Sequence, residues 1–299
     1  MNLKDLEYLV ALAEEEHFRR AAERCFVSQP TLSGQIKKLE EELGVIFLER
    51  TSRKVLFTQA GLQLVAQARK VLTEAQRFRE MAGSHGEAMS GPLHLGLIPT
   101  VGPYLLPHVV PGLRHAFPKL EFYLHEAQTQ QIVAQLESGL IDCAILALVK
   151  ETECFVELPL FDEAMVLAVP LEHEWHDREQ VPLHELAGHR LLMLEDGHCL
   201  RDQALGFCFA AGATEDRHFR ATSLETLRNM VAAGAGVTLL PELAVPNERC
   251  RDGVCYVPCC EPVPTRAIGL VYRPGSPLRA RYEQLADWVR SQMTQVLAG

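Results

Sequence analysis

No stretch of this chain reaches the roughly 18 uninterrupted apolar residues that a membrane-spanning helix requires, so a membrane partner is not expected. The N-terminus, Met1-Asn2-Leu3-Lys4-Asp5-Leu6-Glu7, brings in acids at once and lacks the apolar core of a signal peptide. A cytoplasmic protein is expected. A basic surplus is missing too: the net charge is −10, which excludes a chain that grips a polyanion over its whole surface. The nine cysteines are odd in number and show no small disulfide framework. Most should be free thiols, and any disulfide should be transient or regulatory. Cys250, Cys255, Cys259 and Cys260 fit no standard zinc spacing, and no helix carries a defensible His pair at i, i+4. Neither a metal nor a cofactor is expected.

What is present is unevenly placed. Residues 1–90 hold 13 Lys+Arg against 13 Asp+Glu, so the whole negative excess lies in residues 91–299. The first part is compatible with nucleic acid and the rest is not. Apolar spacing predicts helices over 3–13 and 18–25, then a turn, then a third helix capped by Ser28 with Pro30 in its first turn and Gly44 at its end. Leu32, Ile36, Leu39 and Leu43 form the inner stripe of that third helix. Its opposite face carries Thr31, Gly34, Lys37 and Lys38, bordered by Ser33 and Gln35, with Ser28, Gln29 and Pro30 at its start. Hydroxyls, amides and amines on a short face with one missing side chain suit entry into a major groove. The alternative is a solvated face of a small bundle. Two strand-like runs, 47–50 and 54–57, surround a basic turn holding Arg50, Arg53 and Lys54. That pattern reads as a wing placed to hold phosphate backbone.

Thr58 caps a predicted helix running to about 82, with Leu62, Val65, Ala68, Leu72, Ala75 and Ala82 along a coiled-coil-like seam. A dimer interface is expected there, packing against the chain's own C-terminal part being the alternative. A Gly/Ser/Pro-rich break follows near residue 90. Beyond it, strands are predicted at 93–98, 120–125, 141–148, 165–169, 190–194, 236–240, 254–257 and 267–272. Helices are predicted at 103–117, 129–138, 200–210, 224–233 and 278–295. This alternation predicts an α/β fold in two lobes with a largely parallel sheet, its ligand site at the carboxyl ends of strands.

The segment Gly197-His198-Cys199-Leu200-Arg201-Asp202-Gln203, followed by Cys208, carries the chemistry. Nearby positive charge favours a thiolate, and a second cysteine can resolve an oxidised first one. The reading is a redox switch. If 199–208 is helical, nine positions correspond to a rise of roughly 13–14 Å, whereas a disulfide needs Cα atoms within about 7 Å. Helix and bond are then incompatible. Cys25 and Cys143 read as small buried hydrophobes.

The run Ala21-Ala22, Val27-Ser28-Gln29-Pro30-Thr31-Leu32-Ser33, Ile36, Leu39-Glu40, Leu43-Gly44-Val45, Leu48 and Arg50 resembles the DNA-binding domain of LysR-type transcriptional regulators. Gly96-Leu97-Ile98-Pro99-Thr100, Leu194-Glu195-Asp196-Gly197-His198-Cys199 and His218-Phe219-Arg220-Ala221-Thr222 are similar to the family's peroxide-sensing members. The resemblance implies a winged helix-turn-helix domain over 1–58, a linker/dimerisation helix and hinge over 59–89, and a periplasmic-binding-protein-like redox-sensing domain over 90–299. Its lobe I would span about 90–161 and 267–299, and lobe II about 162–266. It implies a non-enzymatic activator of oxidative-stress genes, a homodimer or homotetramer that binds double-stranded promoter DNA and works with RNA polymerase. Hydrogen peroxide would oxidise Cys199, Cys208 would close a disulfide, and a glutaredoxin- or thioredoxin-type reductant would reopen it. Thr100, Thr129, His198, Asp202 and Arg266 match positions around the reactive thiol, with Arg201 and His218 nearby. Cys154, Cys250, Cys255 and Cys260 have no part in the family's switch. The alternative is a LysR-type regulator that answers to a small ligand in the interlobe cleft.

Overall fold

The computed structural model describes residues 1–49, 55–83, 89–210 and 212–297, and within them the side chains other than those of 80–83, 190, 208–210 and 216–218. It divides into two units, Met1–His85 and Gly86–Gly299.

The first unit packs helices α1 (Leu3–Glu15), α2 (Phe18–Arg24) and α3 (Gln29–Leu43) around Leu9, Leu12, Leu32, Ile36 and Leu39. Ala21 and Ala22 are buried, and their small side chains let α2 approach its neighbours closely. Ser28 caps α3, its Oγ accepting from the Thr31 N–H at 3.3 Å, and Gly44 ends the helix at a φ of 66°. Strands β1 (Leu48–Glu49) and β2 (Leu56–Phe57) then pair antiparallel as the expected wing. Glu40 ties the wing to α3, its Oε1 accepting from the N–H groups of Phe47 at 2.6 Å and Leu48 at 3.2 Å. Arg50, Arg53 and Lys54, at the wing's turn, lie outside the described residues.

Helix α4 (Gln59–Gly83) extends roughly 37 Å. Its expected seam is divided. Val65 and Ala68 are buried, and Leu72 partly so, in the unit's own core, where α4 packs on α1. Three short helices cannot close a core alone, so they take one face of α4. Val71 and Phe78, seven residues apart on another face, are 38% and 75% exposed. Ala82 has no described side chain.

The second unit runs β3 (Gly91–Leu97), α5 (Gly102–Ala116), β4 (Leu120–Glu126), α6 (Thr129–Ser138), β5 (Cys143–Ala147) and β6 (Val156–Pro170). It continues through β7 (Arg190–Leu194), α7 (Cys199–Ala210), β8 (Thr214–Ala221), α8 (Leu224–Ala232) and β9 (Thr238–Pro241). It ends with β10 (Cys250–Arg251), β11 (Val254–Pro258), β12 (Thr265–Tyr272) and α9 (Arg279–Val296). Two apolar cores result. One gathers β3, β5, α5 and α9 around Leu93, Ile145 and Val289; the other gathers β7, α8, β9 and β11 around Leu192, Leu239 and Val257.

The sheet is mixed, not largely parallel. Helical crossovers make β4 and β5 parallel to β3, and β8 parallel to β7. β6 and β12 instead carry the chain from one core to the other and back, so they run antiparallel. β9 and β11 also pair antiparallel with β6. The strand predicted at 165–169 is only the far end of β6, which gives Leu160 to the first core and Met165, Leu167 and Val169 to the second. β8 escapes sequence reading because Thr-Glu-Asp-Arg-His-Phe-Arg-Ala has little apolar alternation.

Candidate functional site

Strand β7 delivers a short turn, 195–198, and Cys199 opens α7 directly after it. Gly197 lies at a φ of 98°, and a Cβ there would sit 2.5 Å from Gln128 Oε1. The positive φ favours glycine here, and the turn presses against the side chain of the residue preceding α6. Gln128 in turn donates to Glu195 at 3.2 Å. Cys199 is 9% exposed and packs into the first core, whereas Leu200 and Ala204 of the same helix pack into the second. The thiol therefore sits where the two cores meet.

A cavity of about 330 Å³ opens beside it, lined by Thr129, Gln130, Cys199, Asp202 and Gln203 among others. Both α6 and α7 begin at this cavity, so two helix N-termini turn their unpaired N–H groups and positive dipole ends toward it. Thr129 is buried, and among the described residues its hydroxyl has no hydrogen-bond partner; neither has the buried Oε1 of Gln203. Such an atom costs about 1–3 kcal/mol, and a small hydroxylic molecule in the cavity would recover it. Gln203 was not foreseen as a site residue. Its signal was available: it follows Cys199 by one helical turn and so shares its face. Asp202 lines the same cavity with a largely exposed side chain, open to proton exchange with solvent.

The other threonine is engaged differently. Arg266 Nη1 donates to Thr100 Oγ1 at 3.0 Å and Nη2 to the Thr100 carbonyl at 2.9 Å. The same guanidinium pairs with Glu163 at 2.7 Å, both side chains being almost wholly buried. Glu163 Oε1 also accepts from the Leu243 N–H at 3.1 Å. Glu163 was missed because its pairing arises from strand register, Arg266 lying opposite it across β12 and β6.

Among the described residues, the positive charge expected around Cys199 is engaged elsewhere. Arg201 is claimed by carboxylates: Glu215 at 3.0 and 3.1 Å, Asp196 at 3.0 Å and Asp202 at 3.5 Å. His198 is buried, and burial lowers its pKa against the raising effect of Glu195, which favours the neutral ring. Arg266 is balanced by Glu163. The positive dipole ends of the two helix N-termini remain beside the thiol.

Helix α7 is unbroken from Cys199 to Ala210, which places the Cys208 backbone roughly 13–14 Å along its axis. No bond to Cys199 closes across that span. The side chains of Cys208 and His218 are not described. Burial raises the thiols of Cys25 and Cys143, and that of Cys259 to about 12. These are poor nucleophiles. Cys250 and Cys255 are joined in a disulfide. Among the described residues no group of three or more His, Cys, Asp or Glu could hold a metal.

On α3, Ser28, Gln29, Pro30, Thr31, Lys37 and Lys38 are exposed, and Ser33 and Gln35 half-buried. A Cβ on Gly34 would meet nothing within 4 Å, so this glycine leaves space for a partner, not for the protein's own packing.

Thr129→Val tests the cavity directly. The swap keeps the shape and removes the orphaned hydroxyl, so thermal stability should hold or rise slightly. Oxidation of Cys199 by peroxide, followed by thiol labelling, should slow by about tenfold or more. An unchanged rate would remove Thr129 from the site.

Residues 3–62 match the bacterial regulatory helix-turn-helix proteins of the lysR family, and residues 86–294 the LysR substrate binding domain. The chain is 73% identical over 98% of its length to the hydrogen peroxide-inducible genes activator of Dickeya chrysanthemi, covering 96% of that protein. It is similar to crystal structures of OxyR in the oxidized form (71% identity, TM-score 0.66) and the reduced form (68%, TM-score 0.66). Those alignments cover 70% and 69% of this chain and 98% of each matched chain. The chain therefore belongs to the LysR family of helix-turn-helix regulators, within its OxyR group.

Proposed function

We propose that this chain is a DNA-binding transcriptional activator that senses hydrogen peroxide through Cys199. The observation that carries the reading is the meeting of Cys199 with the unpartnered Thr129 hydroxyl in one cavity at two helix N-termini. The thiolate attacks one peroxide oxygen, forming a sulfenic acid, and hydroxide leaves. Thr129 and Gln203 hold the peroxide, Thr100 is oriented by Arg266, and solvent-linked Asp202 returns a proton to the hydroxide, giving water. The Cys208 thiol then displaces the sulfenic hydroxyl as a second water and a disulfide forms. Closing that bond dismantles α7 and withdraws Leu200 and Ala204 from the second core, a bistable element biased by a covalent bond. His198 directly precedes Cys199, and Arg201 anchors the start of α7 to Glu215.

Output runs through α3 and the wing, with Lys37, Lys38, Arg50, Arg53 and Lys54 as the charges that pair with promoter phosphates. Val71 and Phe78 on α4 offer a face to a second copy, consistent with a homodimer or homotetramer. RNA polymerase is the downstream partner, and a glutaredoxin- or thioredoxin-type protein in the cytoplasm resets the switch. No helix among the described residues is long and apolar enough to cross a membrane. A ligand-gated reading is not favoured, since the relative at 73% identity bears the name of a peroxide-inducible activator. Footprinting on the region upstream of the chain's own gene, before and after stoichiometric peroxide, tests sensing and DNA reading together. The protected span should lengthen or shift with oxidation; an identical footprint in both states would defeat the proposal.

A further inference from the structure

The hairpin of β10 and β11 holds a second sulfur site. Its turn is Asp252-Gly253, with φ of 51° and 87°, the positive values of a tight two-residue connection. That turn closes Arg251 onto Val254. Along an antiparallel pair, hydrogen-bonded and non-hydrogen-bonded positions alternate. The Tyr256 N–H donates to the Arg249 carbonyl at 2.8 Å, so the positions between, Cys250 and Cys255, form a non-hydrogen-bonded pair. Strands approach most closely there. The two Cα atoms are 4.1 Å apart and the sulfurs are bonded. The turn and the strand register by themselves set Cys250 opposite Cys255.

The pair is asymmetric. Cys250 is exposed at the sheet edge, whereas Cys255 is fully buried in the second core beside Val254 and Val257. An incoming reagent meets one sulfur only. Neither cysteine stands at a helix N-terminus, which separates this chemistry from that of Cys199.

We propose that Cys250 and Cys255 form a thiol–disulfide exchange site for small disulfides and thiols of the glutathione class, acting independently of Cys199. In the oxidising direction, the Cys250 thiolate attacks one sulfur of a small disulfide, RSSR. A mixed disulfide forms on Cys250 and RS⁻ leaves. Cys255 gives its proton to that thiolate and attacks the Cys250 sulfur, expelling the second RS⁻, which takes up the proton that Cys250 had released. Two electrons pass from the pair to RSSR, leaving one protein disulfide and two RSH. The reverse sequence begins with RS⁻ at the exposed Cys250. Whether the bond stands at equilibrium follows the thiol–disulfide poise around the protein. The bond pins β10 to β11, whose adjoining turn packs against the end of α8, Gly253 lying close to Ala232.

The test equilibrates the full chain with reduced and oxidized glutathione in graded ratios, alkylates free thiols, cleaves after glutamate so that residues 249–261 stay in one peptide, and locates linked and alkylated cysteines by fragmentation. The linked fraction of Cys250 and Cys255 should rise with the oxidized share and fall with the reduced share. The same curve should appear in Cys199→Ser. Cys255→Ser should accumulate glutathione on Cys250, and Cys250→Ser should leave Cys255 unmodified. A pair that stays two free thiols, or stays linked, at every ratio overturns the proposal. A curve displaced tenfold by Cys199→Ser overturns the independence of the two sites. The unsubstituted titration decides the exchange even where replacement of the buried Cys255 prevents folding.

Discussion

Cys199→Ser is expected to abolish the peroxide-dependent change in promoter output while leaving DNA binding intact. A serine hydroxyl is almost never ionised near neutral pH and has no comparable reaction with peroxide, so the first bond of the switch cannot form. The substitution is nearly isosteric, and α3 belongs to a different unit of the structure, so operator affinity should survive. Reporter expression under peroxide and binding to labelled promoter DNA make the comparison. A normal response in Cys199→Ser would return the small-ligand alternative to favour. Cys208→Ser divides the pathway further. It should still oxidise at Cys199, yet keep α7 folded because no bond pulls on it. In the unsubstituted chain, backbone amides over 199–208 should lose hydrogen-exchange protection on oxidation. Exposing a residue such as Leu200 costs about 1.5–3 kcal/mol, so the helix should return once the bond is cut.

Arg266→Ala should destabilise the second unit by roughly 3–5 kcal/mol, because it strands Glu163 as an uncompensated buried charge. At about 2–4 °C per kcal/mol for a unit of this size, the melting temperature should fall by about 10 °C. Replacing both partners, Arg266→Met with Glu163→Leu, should restore much of that loss, since a buried pair contributes little over well-packed apolar residues. It should not restore rapid oxidation of Cys199, because Thr100 loses both donors that orient it. Thermal melts and peroxide titrations of the two variants separate the roles. Full recovery of the oxidation rate in the double variant would reduce Arg266 to a structural post.

The DNA-reading unit was highly legible in sequence because its signals are local. Ser28 as a cap, Gly44 as a terminator and the Leu32–Ile36–Leu39 stripe each act within a turn or two of helix. The division of α4 was less legible, since apolar spacing shows that a face is buried but not against what. In the second unit, helical crossovers were readable and strand directions were not. Nothing local to β6 announces that it serves two cores. The same limit explains the site. Cys199, Asp202 and Thr129 stand out by residue type and position, and Gln203 by its helical offset. The capture of Arg201 by Glu215, and of Arg266 by Glu163, arises only when distant strands meet. Electrostatics read from neighbours in sequence therefore overstated the positive charge at the thiol.

The crossing of β6 and β12 has a mechanical consequence. These antiparallel strands pass between the two cores, with Glu163 and Arg266 facing one another in register and a bulge between Ile268 and Gly269 close by. The buried ion pair is a pin that fastens the two strands together where they cross. The pin is also a handle: its guanidinium holds Thr100 by the hydroxyl and the carbonyl together. A shift at the crossing therefore reaches the backbone and the side chain of Thr100 together.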